Sequence, residues 1–333
     1  MTWSHRKSIV SGVIVLVALA VLFNLAQLGN WSSVAAPKTK LTLDKIPFNG
    51  ERAYKHLKTI CALGPRISGT KGMQDQQALI IRHFEELDAK VTPQSFDVRH
   101  PQTGAATRIS NLIVEFQPDR KERILLCAHY DTRPYPDEDL DPRKRRAPFL
   151  GANDGASGVA LLMELGTMLK DYPGPLGVDI VLFDAEELVY EKSRDQYFIG
   201  SNYFARDYAT NPPAHKYRSG VLLDMVGDKE LQLYLESNSY YGKGSFPVTR
   251  DIWATAAKLG VSEFIDKVKH EVKDDHLPLN NIAKIPTCDI IDFDYPRPGK
   301  NYWHTTHDIP ENCSAISLAK VGWVVHQWLL QQK

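Results

Sequence analysis

The stretch VDIVLFDAEELV, Val178 to Val189, decides the fold. It opens as an apolar, β-branched run, which reads as a buried strand. It closes on Asp184, Ala185, Glu186 and Glu187. A bare carboxylate is costly to bury, so these residues need a partner, a metal or a shifted pKa. The segments on either side must supply it.

Outward from this stretch, strand and helix signals alternate, which argues an α/β fold. KVTPQSFDV, RISNLIVEF, ERILLCAHYD, SGVLLDMV, LQLYLES and TCDIIDF read as further strands. GTKGMQDQQALIIRHFEELDA reads as a helix, with Leu79, Ile80, His83, Phe84 and Leu87 at helical spacing. GASGVALLMELGTMLK carries a stripe of Val159, Leu162, Met163, Gly166 and Leu169. SNYFARDYA and VTRDIWATAAKLG are helical, and Gly260 suits a C-terminal cap. The last helix presents Leu318, Val321, Val325, Trp328 and Leu329.

In open α/β sheets, sites form beyond the carboxyl ends of the strands. Several expected strands lead to metal-ligand residue types: His129, the pair Glu186 and Glu187, Asp224 and, after a loop, His304. Asp154 sits just before a helix. Taken singly, each has a plainer reading: a core histidine, a helix N-cap, a solvated strand end. Their recurrence at successive strand ends favours a shared site. Two histidines and three carboxylates suit zinc, and five such ligands could hold two ions. One glutamate need not bind metal and can move protons beside it. His276 and His307 read as non-ligands.

The chain has 333 residues, 43% hydrophobic and 24% charged, enough for a large core. Net charge is zero, so no global field favours nucleic acid. The run from Arg143 to Arg146 lies between acidic residues and prolines and reads as a solvated loop. The four cysteines form no CxxC pair, which excludes a zinc ribbon. There is no GxSxG elbow and no GxxxxGK[ST] loop, so serine-hydrolase and NTPase readings fall away.

The N-terminus carries Arg6 and Lys7 and then no charge from Ser8 to Leu28. About 20 apolar residues suffice to span a membrane, and preceding cations orient the remainder outward. Residues 1–28 are therefore expected to be a signal anchor, or a signal peptide cut near Ala36. Residues 29–50 read as a linker and 51–333 as the catalytic domain. The catalytic part is expected outside the cytoplasm, membrane-anchored, or secreted or periplasmic after cleavage.

HYD, GANDGASGVALLMEL, FDAEE, LLDMVG and YWHTTHD resemble, in order, the metal-site motifs of the zinc-dependent exopeptidase superfamily. Within it the chain looks most like the glutaminyl-peptide cyclotransferases, through GPRISGT, RISNLIVEF, SRDQYFIGSNYFA, KDDHLPL and WHT. The resemblance implies a three-layer α/β/α sandwich with a mixed, mostly parallel central sheet. It implies zinc on Asp154, Glu187 and His304, with Glu186 as general acid/base. Asp224 and Asp274 would share its hydrogen-bond network, and Trp303 would wall the substrate pocket. His129 matches an aminopeptidase ligand that single-zinc cyclases leave unused. The chain departs from the cyclase pattern in two places. LVYEKSRD lacks a pocket tryptophan, for which Tyr190 or Tyr197 are the candidate substitutes, and Lys273 replaces a glutamine. Cys127 also has no evident partner for the disulfide of animal cyclases.

Two reactions fit these residues. A cyclase would convert N-terminal glutamine of a peptide to pyroglutamate with loss of ammonia. An aminopeptidase would use water instead, with His129 and Asp224 completing a second metal site. Both act on peptides with a free N-terminus, and a monomer is expected.

Overall fold

The computed structural model describes residues 41–333. The expected anchor or signal segment and residues 29–40 of the expected linker lie outside them. Among the described residues no helix is long and apolar enough to cross a membrane. Ordered packing starts within the segment read as linker: Ile46 and Phe48 are buried in the main core.

After a 3-10 turn at Leu43–Lys45, the first α-helix is α1 (Gly50–Cys61), capped by Asn49, whose side chain accepts the Arg52 N–H at 2.9 Å. Then follow α2 (Lys71–Glu85), β1 (Lys90–Arg99), β2 (Ala106–Phe116) and β3 (Glu122–His129). The central segment contains α3 (Ala156–Leu169), β4 (Gly177–Phe183), α4 (Ile199–Thr210) and β5 (Lys216–Asp224). A small parallel pair, β6 (Leu233–Leu235) and β7 (Phe264–Val268), brackets α5 (Ser245–Leu259). β8 (Thr287–Ile291) and α6 (Ala315–Gln331) complete the chain.

Six strands form one sheet in the order β1-β2-β4-β3-β5-β8. β4, β3, β5 and β8 run parallel, while β2 joins β4 and β1 antiparallel. Both faces of the parallel part are covered, which is why its strands are continuous apolar runs. Along β3, Ile124, Leu126 and Ala128 face one core and Leu125 and Cys127 the other. The first core receives α1, α2, α3, α5 and α6; the second receives α4 and residues near Leu279.

Two expected helix faces are corrected. The buried positions of α2 are Met73, Gln76, Ile80 and Phe84, so Leu79 and His83 lie at the margin. α3 is buried nearly all round rather than along one stripe, because it lies between the sheet and α1 and α6. Gly158 makes this closeness feasible: a Cβ there would stand 2.2 Å from the Leu223 carbonyl oxygen. All four cysteines are free and buried.

β3 leads through α3 to β4 on one side, and the chain then passes back over β3 through α4 to β5. Right-handed crossovers in opposite directions put these helices on opposite faces. A crevice therefore opens beyond the carboxyl ends of β3, β4 and β5.

Candidate active site

Each strand delivers its side chains by a sharp turn. β3 ends at His129, and β5 ends at Asp224, followed by Met225 at φ 46°. After β4, Ala185 takes φ 57° and turns Glu186 and Glu187 into the crevice. His304 itself has φ 54°. Positive φ costs a non-glycine residue about 1–3 kcal/mol and persists where surrounding contacts over-determine it. Gly155, at φ 89°, lets the Asp154 loop pass His129: a Cβ there would lie 3.0 Å from the imidazole Cε1. Asp154 does not cap α3; the N-cap is Gly155.

Buried carboxyls hold these turns through main-chain N–H groups. Asp131 accepts from Glu186 at 3.1 Å and Glu187 at 3.0 Å. Asp308 accepts from Asn153 at 2.7 Å, Asp154 at 3.1 Å and the Tyr295 hydroxyl at 3.0 Å. Asp184 accepts from Ser110 N–H at 2.9 Å and the Ser68 hydroxyl at 2.7 Å. Sequence reasoning gave Asp131, Asp184 and Asp308 no role, although all three lie inside the quoted motifs.

Asp154 stands between two histidines. Its Oδ2 is 3.3 Å from His304 Nε2, and its Oδ1 is 3.1 Å from His129 Nε2. His304 Nε2 also lies 2.5 Å from Glu187 Oε1, and His129 Nε2 lies 3.3 Å from Asp224 Oδ1. Asp154, Glu187 and His304 each offer a ligand atom within 4.8 Å of the others; so do His129, Asp154 and Asp224. Asp154 Oδ2 and His304 Nε2 are buried and, despite these close contacts, make no hydrogen bond of ordinary geometry. Orphaned nitrogen and oxygen donors converging beside an open cavity fit a zinc ion.

The electrostatics agree. Burial pulls the His304 imidazole down, but the Glu187 and Asp154 carboxylates outweigh it and push it up to about 9. The cluster thus holds a cation even when that cation is a proton. Burial and the Glu187 charge raise Glu186 well above the usual carboxylate range. Burial and the Asp224 charge do the same to Asp274.

Asp154, Glu186, Glu187, Asp224, Asp274, Trp303 and His304 line one cavity of about 350 Å³. Tyr197, Phe198, Val272, Ile291 and Phe293 add apolar wall. Trp303 stacks on His304 with ring centroids 3.8 Å apart. His129 lies behind this surface, 2% exposed. Tyr190 is not part of the wall and packs against His100 and Tyr135. His276 is buried between Glu236 and Asp289, and His307 stacks on Tyr302, both away from the cavity. A wider groove of about 610 Å³ shares only Glu271 with the cavity and gathers no comparable set of ligand residues.

Residues 111–329 match the family model for peptidase family M28. Among solved structures, glutaminyl cyclase from Fimbriiglobus ruber is 38% identical, covers 90% of this chain and 100% of its own, and superposes with a TM-score of 0.81. A leucine aminopeptidase precursor from Bacteroides thetaiotaomicron is 33% identical over 86% of this chain and 98% of its own, with a TM-score of 0.79. A glutaminyl-peptide cyclotransferase of Drosophila melanogaster is 25% identical over 275 residues, which are 77% of this chain and 73% of that protein.

Proposed function

The chain belongs to peptidase family M28, and on that premise we propose that it is a zinc-dependent glutaminyl-peptide cyclotransferase. The observation that carries the reading is Asp274, brought into the same cavity as Glu186 and Asp224. Water-splitting beside zinc needs one proton-moving carboxyl. A buried acid cluster around Glu186 suits a reaction that takes a proton from an amine and returns it to a leaving ammonia.

Asp154, Glu187 and His304 would hold a single zinc. Bound there, it would supply Lewis-acid polarisation of the substrate's side-chain amide. Trp303, Phe293 and Tyr197 would wall the folded glutamine side chain, with Tyr197 the candidate substitute for the cyclase tryptophan. Holding the α-amine against its own amide makes the attack intramolecular, which supplies much of the acceleration. Glu186 takes the amine proton and delivers it to the departing nitrogen. Asp224 and Asp274 repel a second negative charge nearby, so the group titrates as a coupled set and keeps a proton available.

A second reading, a zinc aminopeptidase, is favoured by one observation: the group His129, Asp154 and Asp224 is intact and could take a second ion. In it Glu186 would deprotonate water. Incubating the purified protein with peptides bearing N-terminal glutamine separates the two. The cyclase reading expects ammonia and a pyroglutamyl peptide. Release of free N-terminal residues would overturn it. Peptides with a free N-terminus are the proposed substrates, and nothing in the charge pattern favours nucleic acid. Export of the catalytic part is proposed from the uncharged segment Ser8 to Leu28. Protease digestion of intact cells tests it, and a protected catalytic domain would contradict it.

A further inference from the structure

The segment TRPYPDEDLDPRKRRAPF, residues 132–149, joins β3 to the Asp154 turn, and the reaction above gives it no task. Its exposed half, Arg143 to Arg146, is a solvated loop as expected. Its first half behaves differently. Three consecutive residues grip the turn that carries His304. The Glu138 N–H donates to the His304 carbonyl at 3.1 Å. The Asp139 carboxylate accepts from the Thr306 N–H at 3.0 Å and its hydroxyl at 2.6 Å. The Asp137 carboxylate faces the His304 ring, with Oδ1 3.7 Å from Nδ1.

Arg133 ties this grip to a second candidate ligand. Its main-chain N–H donates to Glu187 Oε2 at 3.1 Å, and its guanidinium stands 3.6 Å from Glu187 Oε1. The same guanidinium forks onto Asp137 through Nε at 2.8 Å and Nη2 at 3.1 Å. Its stem is fixed, since Arg133 is 1% exposed and its charge lies over the Tyr197 ring.

His304 points Nε2 inward, toward Asp154 and Glu187, so a metal there leaves the proton on Nδ1. Nδ1 is buried and has no hydrogen-bond partner. A buried N–H left unpaired is costly, and metal-bound histidines regularly donate it to a carboxylate. We propose that Asp137 is the residue that positions His304, accepting its Nδ1–H when zinc binds, and that Arg133 fixes Asp137 and Glu187 together. A small side-chain adjustment brings 3.7 Å into hydrogen-bond reach, about 3.2 Å or less. Residues 133–139 then set the metal affinity of the centre. The inference rests on the zinc site proposed above, and it is independent of which reaction that site performs.

The test is the zinc dissociation constant of the full chain, measured by competition with a chelator. Asp137→Ala is expected to weaken zinc binding by about 10–100-fold, with Asp137→Glu recovering part of the loss. The visible bands of the cobalt-loaded protein shift in Asp137→Ala, which loss of a merely structural contact would not produce. Asp141→Asn, whose side chain pairs with Arg143 rather than with the His304 turn, leaves both readouts unchanged. Unfolding of the metal-free forms, followed in urea, shows whether each variant is folded. Folded Asp137→Ala with wild-type zinc affinity and an unshifted cobalt spectrum would overturn the proposal alone. A wild-type chain that binds no zinc would overturn the metal centre with it.

Discussion

The parallel strands bury charge at both ends, and the two ends treat it in opposite ways. At the amino end, Arg123 on β3 and Asp179 on β4 are both 0% exposed. The guanidinium donates to Asp179 and to the carbonyls of Phe116, Gln117, Arg120 and Val178. The Tyr217 hydroxyl completes Asp179 at 2.5 Å. At the carboxyl end, Asp154, Glu187, His129 and His304 are nearly as deeply buried, yet Asp154 Oδ2, His304 Nε2 and the Nδ1 atoms of His129 and His304 make no hydrogen bond of ordinary geometry. Burying ions costs several kcal/mol each wherever they lie. The lower end cancels that cost with the chain's own donors and acceptors, whereas the upper end leaves it for something that binds. Satisfaction of polar groups, rather than burial or charge, separates the structural ion pair from the candidate site.

Removing one partner at the lower end breaks this contrast most visibly. Arg123→Ala strands Asp179 and should cost about 3–5 kcal/mol of stability in urea unfolding. The double change Arg123→Met with Asp179→Leu should recover most of it. At the upper end, Glu187→Gln removes a candidate zinc ligand. Zinc affinity should fall by more than the roughly 10–100-fold of an outer contact, read by metal analysis after dialysis. Glu186→Gln should lower turnover by about 10²–10⁴-fold while zinc stays bound; full activity would refute Glu186 as the proton carrier.

A smaller effect concerns pH. Burial, Glu187 and Asp274 hold Glu186 above the ordinary carboxylate range, so the acid limb of kcat/KM should lie above that range too. Asp274→Asn removes one of those charges and should move the limb to lower pH. The smallest effect belongs to Glu236, whose carboxylate accepts the N–H groups of Asn238, Ser239 and Val272. Burial would raise its carboxyl, but His276 and the N–H groups of Asn238 and Val272 hold it down to about 2. Its folded value lies below the ordinary 4.5, so its contribution is complete above 4.5 and is lost as pH falls through about 2. Glu236→Gln should flatten acid unfolding across that window.

The parallel strands were legible because burial on both faces writes them as apolar runs, and their ends stood out because ligand types followed directly. Strand order was not legible: β3 pairs with β4 and β5 across long separations, which no local pattern encodes. The helix α1 was missed although Asn49 and the spacing of Ala53, Leu57 and Ile60 announce it, because the segment before it was read as linker. Four positive-φ residues beside the site, Ala185, Phe198, Met225 and His304, carry no glycine signal. Their conformation comes from the contacts around them. The roles of Asp131 and Asp308 are likewise tertiary, since each serves main-chain N–H groups far away in sequence. Asp274 and Trp303 were found only through family resemblance; no periodicity or spacing singles them out.

The most direct measurement is anomalous scattering at the zinc edge from crystals of the zinc-loaded protein. One ion held by Asp154, Glu187 and His304, with Glu186 unligated beside it, is the predicted result. An ion on His129 and Asp224, or one ligated by Glu186, would contradict the account.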